Sequence, residues 1–190
     1  MPDLIPLTEP QILAYVRLSQ EGDGDAFHQL YDHYFPQVYR YTAFRFDREM
    51  AEDITADIFL KIWEKITSYQ ERAGIPFGAW LFRIARYTVI DAFRSRKETM
   101  EVSEELSDTD PMNRAEDRLQ RNDLLKIVRG ALDQLPKKYR DVLTLSYFAD
   151  LSITEIALAL KRSEGSVRVL KFRALEKLSA LLPPEHRGTL

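Results

Sequence analysis

Two helix-start signals lie close together near the C-terminal end, and they constrain the fold more than any other feature of the chain. Ser152-Ile153-Thr154-Glu155 is a capping box: the serine hydroxyl takes an orphan backbone N–H, and the glutamate reaches back from the third position. Ile156, Ala157 and Leu160 then fall on the inner side of a short helix. Lys161-Arg162 makes the turn, and Ser163 caps a second helix whose inner stripe is Val167, Leu170, Ala174 and Leu178. Two short capped helices, a tight turn and a small Ala157 where they cross match a helix-turn-helix, whose second helix enters the DNA major groove.

Helical periodicity sorts the side chains of that second helix. At roughly 100° per residue, Lys171 lies about 40° from Val167 and points toward the core, which leaves it a snorkelling or phosphate-holding role. Arg168, Val169, Phe172 and Arg173 occupy the outer arc. Exposed Phe172 beside Val169 is costly on a plain solvent face, but apolar groups there can meet thymine methyls in the groove. Arg168 and Arg173 can fork onto guanine edges or hold phosphates. The bland alternative is a structural hairpin whose Phe172 packs on a partner; caps, turn, core stripe and basic outer face together favour DNA reading.

Bulk charge does not carry the interaction with DNA, because the formal net charge is -3 and the pI about 5.7. The distribution is more telling. Arg83 to Lys97 holds five basic residues against one acid, and Lys161 to Leu178 six against two. Glu98 to Asp110, between them, has six acids and no base. That is the pattern of two DNA-contacting modules joined by a strap that avoids DNA. Hydrophobic residues make up 45% of the 190, enough to build packed cores. No apolar run approaches a membrane span, and Met1 to Leu13 lacks the basic start of a signal peptide, so a soluble, cytoplasmic protein is expected. With no cysteine, the chain has no disulfide, thiolate metal site or redox sensor of its own; any stress sensing belongs to a partner.

The remaining segments repeat at helical spacing, and none alternates as a strand does, so the predicted fold is all-α. Thr8 caps a first helix to about Ser19, and Gly22-Asp23-Gly24 ends it. A second carries Phe27, Leu30, Tyr31 and Tyr34 inward and is bent or restarted at Pro36 before Val38, Tyr41 and Phe44. A third, from about Glu49 to Tyr69, sets Ile54, Ile58, Ile62 and Ile66 at steps of four, with Glu52, Asp53, Asp57, Lys61, Glu64 and Lys65 on its wet side. After a loop from Gln70 to Pro76, a long helix spans Phe77 to Lys97. A flexible linker is expected at about 98–113, then helices at about 114–134, 136–149, 153–160 and 163–182. The domains read as 1–97 and 114–184, followed by a short tail at 185–190.

On the Phe77 to Lys97 helix, Phe77, Trp80, Leu81 and Ile84 share one face, while Arg83, Arg86, Ile90, Arg94 and Lys97 line another. A basic stripe beside Tyr87 and Phe93, next to a loop holding Tyr69 and Arg72, suits a separated strand, with phosphates on arginines and bases against aromatics. A solvated face over a core helix fits the same residues.

Nearly the whole chain, in order, carries a further pattern. It runs Asp25-Ala26-Phe27, Leu30-Tyr31 and Tyr34; Ala51-Glu52-Asp53-Ile54, Asp57-Ile58-Phe59-Leu60 and Trp63; Phe77, Trp80-Leu81, Ile84-Ala85, Asp91 and Arg94; then Leu135-Pro136, Arg140, Glu155-Ile156-Ala157, Ser163-Glu164-Gly165-Ser166-Val167 and Arg173-Ala174. It resembles the extracytoplasmic-function sigma factors of bacteria. The resemblance implies a first domain, sigma-two, that binds the clamp helices of core RNA polymerase and captures non-template bases of the minus-ten element. It implies a second, sigma-four, that reads the minus-thirty-five element as a duplex and docks on the polymerase flap. By position it assigns Asp53 and Asp57, with Lys61 beside them, to the clamp surface, Tyr69 to the base-trapping loop, and Phe82, Tyr87 and Asp91 to the flipped-base pocket. Ser166, Arg168, Val169, Phe172 and Arg173 fall at recognition-helix positions. The resemblance also implies an anti-sigma factor that clasps the two domains.

Three residues depart from the family pattern. Ala56 stands where Gln is common, which shifts clamp binding onto Asp53 and Asp57. Tyr87 replaces a frequent Asn in the minus-ten pocket. Lys161 takes a position usually held by Gly; a left-handed residue other than Gly costs about 1 kcal/mol, so a slightly reshaped turn is expected.

Two other readings are open to the residues alone. A repressor or activator with a helical sensor half would bind duplex DNA unaided, usually as a dimer. An all-α magnesium-dependent nucleotide hydrolase would use Asp53 and Asp57 but needs a second acidic cluster facing them, and the other acids concentrate in the linker. His28 and His33 do not share a helical face, and there is no Gly-rich phosphate loop or nucleophile motif. No catalysis, cofactor or metal is expected.

Overall fold

In the computed structural model, residues 7–100 and 116–186 are described, side chains of 96–100, 116–123 and 185 excepted. The elements are α1 (Glu9–Gln20), α2 (Gly24–Ala43), α3 (Arg48–Lys65) running into a 3₁₀ turn at Ile66–Ser68, α4 (Phe77–Met100), α5 (Glu116–Gln134), α6 (Lys137–Tyr147), α7 (Ile153–Leu160) and α8 (Glu164–Leu181). A last 3₁₀ turn covers Pro184–His186. Among the described residues extended pairing is limited to one bridge, Arg72 with Ile75, so the architecture is all-α. The acidic linker falls largely on 101–113, outside the described residues, and α4 reaches past its expected end to Met100.

Local chemistry fixes the helix starts. Asp23 accepts the Ala26 N–H at 2.9 Å to open α2, and Asp47 accepts that of Met50 at 3.0 Å to open α3. At α1, the Gln11 side chain accepts from the Thr8 backbone N–H at 2.9 Å and from its hydroxyl at 2.8 Å. The first N–H of α4, on Phe77, is taken at 3.0 Å by the Glu9 carboxylate, so α1 caps a helix distant in sequence. Gly22, at φ 94°, supplies the left-handed turn between α1 and α2. α2 continues through Pro36 as one helix rather than restarting there.

The first four helices close on Leu30, Tyr41, Ile58, Ile62 and Phe77, all buried. Where α2 crosses α3, the buried Thr42 and Thr55 hydroxyls pair at 2.8 Å, which removes the cost of two unsatisfied polar groups there. In the second half Leu132, Leu143, Leu145, Ile156 and Val167 are buried between α5, α6, α7 and α8. The two halves are packed together into one continuous core, with α4 between α3 on one side and α7 on the other. This explains why Phe82, Ala85 and Val89 are buried as fully as Phe77 and Leu81: α4 is covered on two sides rather than along one stripe.

Candidate nucleic-acid interface

The helix-turn-helix is built as its caps require. Glu155 accepts from the Ser152 backbone N–H at 2.9 Å and from its hydroxyl at 2.7 Å, and Ser163 accepts the Ser166 N–H at 3.2 Å at the start of α8. Lys161 closes α7 at φ 54°, ψ 50°, so a lysine occupies the left-handed position. Arg162 donates its backbone N–H to the Ala157 carbonyl at 2.8 Å and completes the turn.

Val167, Leu170, Ala174 and Leu178 are buried, as their spacing demands. Lys171 is turned inward: its ammonium donates to Ser146 Oγ at 2.6 Å and lies 4.7 Å from the Tyr147 ring centre. Val169 and Phe172 are left in the open at 50% and 64% exposure, an apolar pair on an otherwise basic face. Arg173 is exposed beside them. Arg168 is exposed and held at 2.8 Å by Glu164, which also accepts the Thr154 hydroxyl at 2.6 Å. These bonds, that of Thr154 foremost, keep the Glu164 carboxyl below the usual carboxylate range. Glu164 thus ties the outer face of α8 to the first turn of α7.

The residues expected at a separated strand divide into three groups. Arg72, Tyr87, Asp91 and Arg94 are exposed, and Arg86 lies 5.7 Å from the Tyr87 ring centre. Tyr69 and Phe82 are buried instead: Tyr69 packs edge-on against Phe77 and Trp80, with ring centres at 5.1 and 5.4 Å, and Phe82 against Tyr41 at 6.1 Å. Burial, with the charges of Glu9 and Glu71 adding to it, raises the Tyr69 phenol. Arg83 and Arg86 are half-buried against the second half of the molecule. Arg83 donates to the Leu158 carbonyl at 3.1 Å, and Arg86 donates to Asp141 Oδ2 through Nε at 3.0 Å and Nη2 at 2.7 Å. The Lys97 side chain lies outside those described.

On α3, Asp53 is exposed, and Asp57 is paired with Lys61 at 2.8 Å. Leu60 stands on the same surface at 56% exposure, within roughly 20° of Asp53 around the helix. It was absent from the expected contact residues, although the same helical count would have found it. Among the described residues no group of three or more His, Asp or Glu side chains stands together as metal ligands would. No described helix is long and apolar enough to cross a membrane.

Comparison with known proteins follows this division. Residues 30–99 match the family Sigma-70 region 2, and residues 125–178 match Sigma-70, region 4. The ECF RNA polymerase sigma factor BldN of Streptomyces coelicolor is 33% identical over 180 residues, which cover 93% of this chain and 68% of that protein. SigM of Bacillus subtilis, also an ECF RNA polymerase sigma factor, is 29% identical over 80% of this chain and 93% of its own. The structure of CnrH in complex with the cytosolic domain of CnrY superposes with a TM-score of 0.67 at 26% identity, covering 90% of this chain and 96% of CnrH. The sigma factor RpoE of Bartonella quintana, in complex with the anti-sigma factor NepR, shares the fold with a TM-score of 0.60 at 22% identity, over 82% of this chain and 95% of RpoE.

Proposed function

This chain belongs to the extracytoplasmic-function sigma factors, which direct promoter-specific transcription initiation by RNA polymerase, and from that premise we propose how its surfaces divide the work. The outer arc of α8 reads the minus-thirty-five element in the major groove. Arg168 and Arg173 take guanine edges or phosphates, Val169 and Phe172 meet thymine methyls, and Ser166 contacts the backbone at the helix start. Lys171 reads no base.

The minus-ten element is captured as a single strand along α4 and the loop before it. Arg72, Arg83, Arg86, Arg94 and Lys97 hold phosphates, while Tyr87 and Asp91 line the base pocket. Tyr69 and Phe82 act from beneath, bracing the pocket wall through Phe77, Trp80 and Tyr41. Asp53, Asp57, Lys61 and Leu60 form the surface that docks on core polymerase, a mixed acidic and apolar patch suited to a basic partner with an apolar centre. The protein works in the cytoplasm, without chemistry of its own.

The single observation that supports this reading most is the exposed pair Val169 and Phe172 between two arginines, with the nearest lysine turned away. An apolar pair so placed has no use in water and a direct one in the groove. CnrH is held in complex with the cytosolic domain of another protein, and we infer that this chain is likewise held by an anti-sigma factor bridging its two domains. Gel filtration of the chain with candidate neighbours tests that partner; absence of a stable complex excludes it.

The test of the promoter assignment is binding to matched and scrambled minus-thirty-five duplexes. Arg173→Ala weakens discrimination by about 1–3 kcal/mol if its contact is bidentate to a base. An equal loss on scrambled DNA would make it a phosphate contact and move base reading off Arg173.

A further inference from the structure

The loop assigned above to the minus-ten strand, residues 69–76 between the 3₁₀ turn and α4, is held by a helix far from it in sequence. Gln20, in the last turn of α1, donates from Nε2 to two backbone carbonyls, that of Ile66 at 2.9 Å and that of Tyr69 at 2.8 Å. A primary amide has two N–H groups, and both are used here. Helix-end carbonyls run short of backbone partners, so Gln20 fixes where the 3₁₀ turn stops, and Tyr69 leaves it extended at φ -68°, ψ 132°.

Two further side chains of α1 reach the rest of the loop. Arg17 Nη2 lies 2.6 Å from Glu71 Oε2, and Glu9 accepts the Phe77 N–H at 3.0 Å where the loop enters α4. At roughly 100° per residue, Glu9, Arg17 and Gln20 fall within about 80° of one another, beside the buried Ile12 and Val16. Seating that stripe in the core therefore aims all three at the loop. Between the held points the loop closes on itself: the Ile75 N–H donates to the Arg72 carbonyl at 3.0 Å, and Gly74 at φ 74° supplies the left-handed third position of that turn. Gln70 to Gly74 are exposed. The flanks are thus fixed, and the tip is free to meet a strand.

A loop ordered in advance spares the incoming strand the entropy of ordering it, whereas a loose loop adapts to wrong bases as well as right ones. The Arg17 pair adds a second effect. Glu71 stands next to Arg72, and an unneutralised carboxylate there would repel the phosphates that Arg72 is to hold. With its side chains 66% and 43% exposed, the pair contributes little to folding stability, so its use lies in placing charge.

We propose that α1 positions the minus-ten loop: Gln20 sets its departure from the 3₁₀ turn, Arg17 its charge, and Glu9 its entry into α4, so that the base-capturing shape exists before the strand arrives. The three touch no DNA themselves. They are positioning residues, on a helix that precedes the segment matched to Sigma-70 region 2. This rests on the assignment of the loop to the minus-ten strand.

The test pairs amide hydrogen exchange on the full chain with run-off transcription by core polymerase carrying it, on barcoded promoter libraries randomised at the minus-ten or the minus-thirty-five element. Gln20→Leu keeps the bulk of the side chain and removes both donors. It speeds exchange at Tyr69 and Ile75, whose N–H groups are bonded within this segment. It also flattens the minus-ten base preference by at least about fivefold, the low end of what two lost hydrogen bonds supply, and leaves the minus-thirty-five preference unchanged. A chain that was merely destabilised would lose transcript yield and keep both preferences. Unchanged exchange at Tyr69 and Ile75 overturns the brace. Faster exchange with an unchanged minus-ten preference overturns the positioning role, and the strand assignment survives if Arg72→Ala still lowers transcript yield. If Arg72→Ala leaves yield unchanged as well, the assignment falls and the proposal with it. Should Gln20→Leu fail to fold, Arg17→Met, at an exposed pair, decides by the same readouts.

Discussion

Glu164 holds the guanidinium of Arg168 at 2.8 Å on the outer face of the recognition helix, with Thr154 bonded to the same carboxylate at 2.6 Å. The arginine is therefore partly ordered before DNA arrives, and part of its charge is screened from phosphates. Releasing it trades selectivity for stickiness. Glu164→Gln lowers discrimination between matched and scrambled minus-thirty-five duplexes by about 1 kcal/mol and steepens the salt dependence of scrambled-DNA binding by about one counterion. Titrations at several salt concentrations check both; unchanged discrimination would mean that Arg168 needs no positioning.

Neighbouring residues on α8 separate stability from recognition. Leu170 is buried and Phe172 exposed, so Leu170→Ala costs about 2–3 kcal/mol of folding stability, whereas Phe172→Ala stays within about 0.5 kcal/mol of wild type. Only the second spares the fold while weakening minus-thirty-five binding. Urea unfolding and duplex binding on both variants distinguish them; a large stability loss in Phe172→Ala would place that ring in a packed site.

Lys161 sits at φ 54°, in the region where a side chain clashes with its own backbone. Lys161→Gly relieves the clash and stabilises the chain by about 1 kcal/mol. The side chain is exposed, so nothing packed is lost. Chemical denaturation checks this, and a destabilised glycine variant would contradict the strained-turn account.

His33 Nδ1 accepts the Leu7 N–H at 3.2 Å, and burial lowers its pKa from the usual 6.5. Below pH 6.5 the unfolded chain binds a proton that the folded chain refuses, so this contribution to stability is full above 6.5 and is lost as pH falls through the depressed folded value. His33→Asn keeps an acceptor but does not titrate, and its unfolding midpoint falls less between neutral and mildly acidic pH. Parallel slopes for the two proteins would remove His33 as the cause.

Much of this was legible in the sequence where a single helix decides the matter. The inward turn of Lys171 and the outward turn of Phe172 follow from spacing alone, because Val167, Leu170 and Ala174 fix which side of α8 is buried. Asp141 was not legible. It stands beside Arg140 on a helix of mixed polarity, and the partners that bury it, Arg45 and Arg86, come from another domain. The burial of Phe82 escaped for the same reason: one stripe of α4 was read as core, whereas α7 covers a second side. Tyr69 looked like a free loop aromatic, and only the folded loop reveals Phe77 and Trp80 against its ring.

Under the proposed assignment, two surfaces of one chain, α8 and α4, grip a promoter on behalf of core polymerase. Run-off transcription with core enzyme tests it most directly, comparing no added chain, wild type, Arg173→Ala and Arg86→Ala. Promoter-specific transcripts should require the chain, fall with Arg173→Ala as duplex recognition fails, and fall with Arg86→Ala as open complexes are lost. Transcripts that form without the chain, or that neither substitution changes, would contradict it.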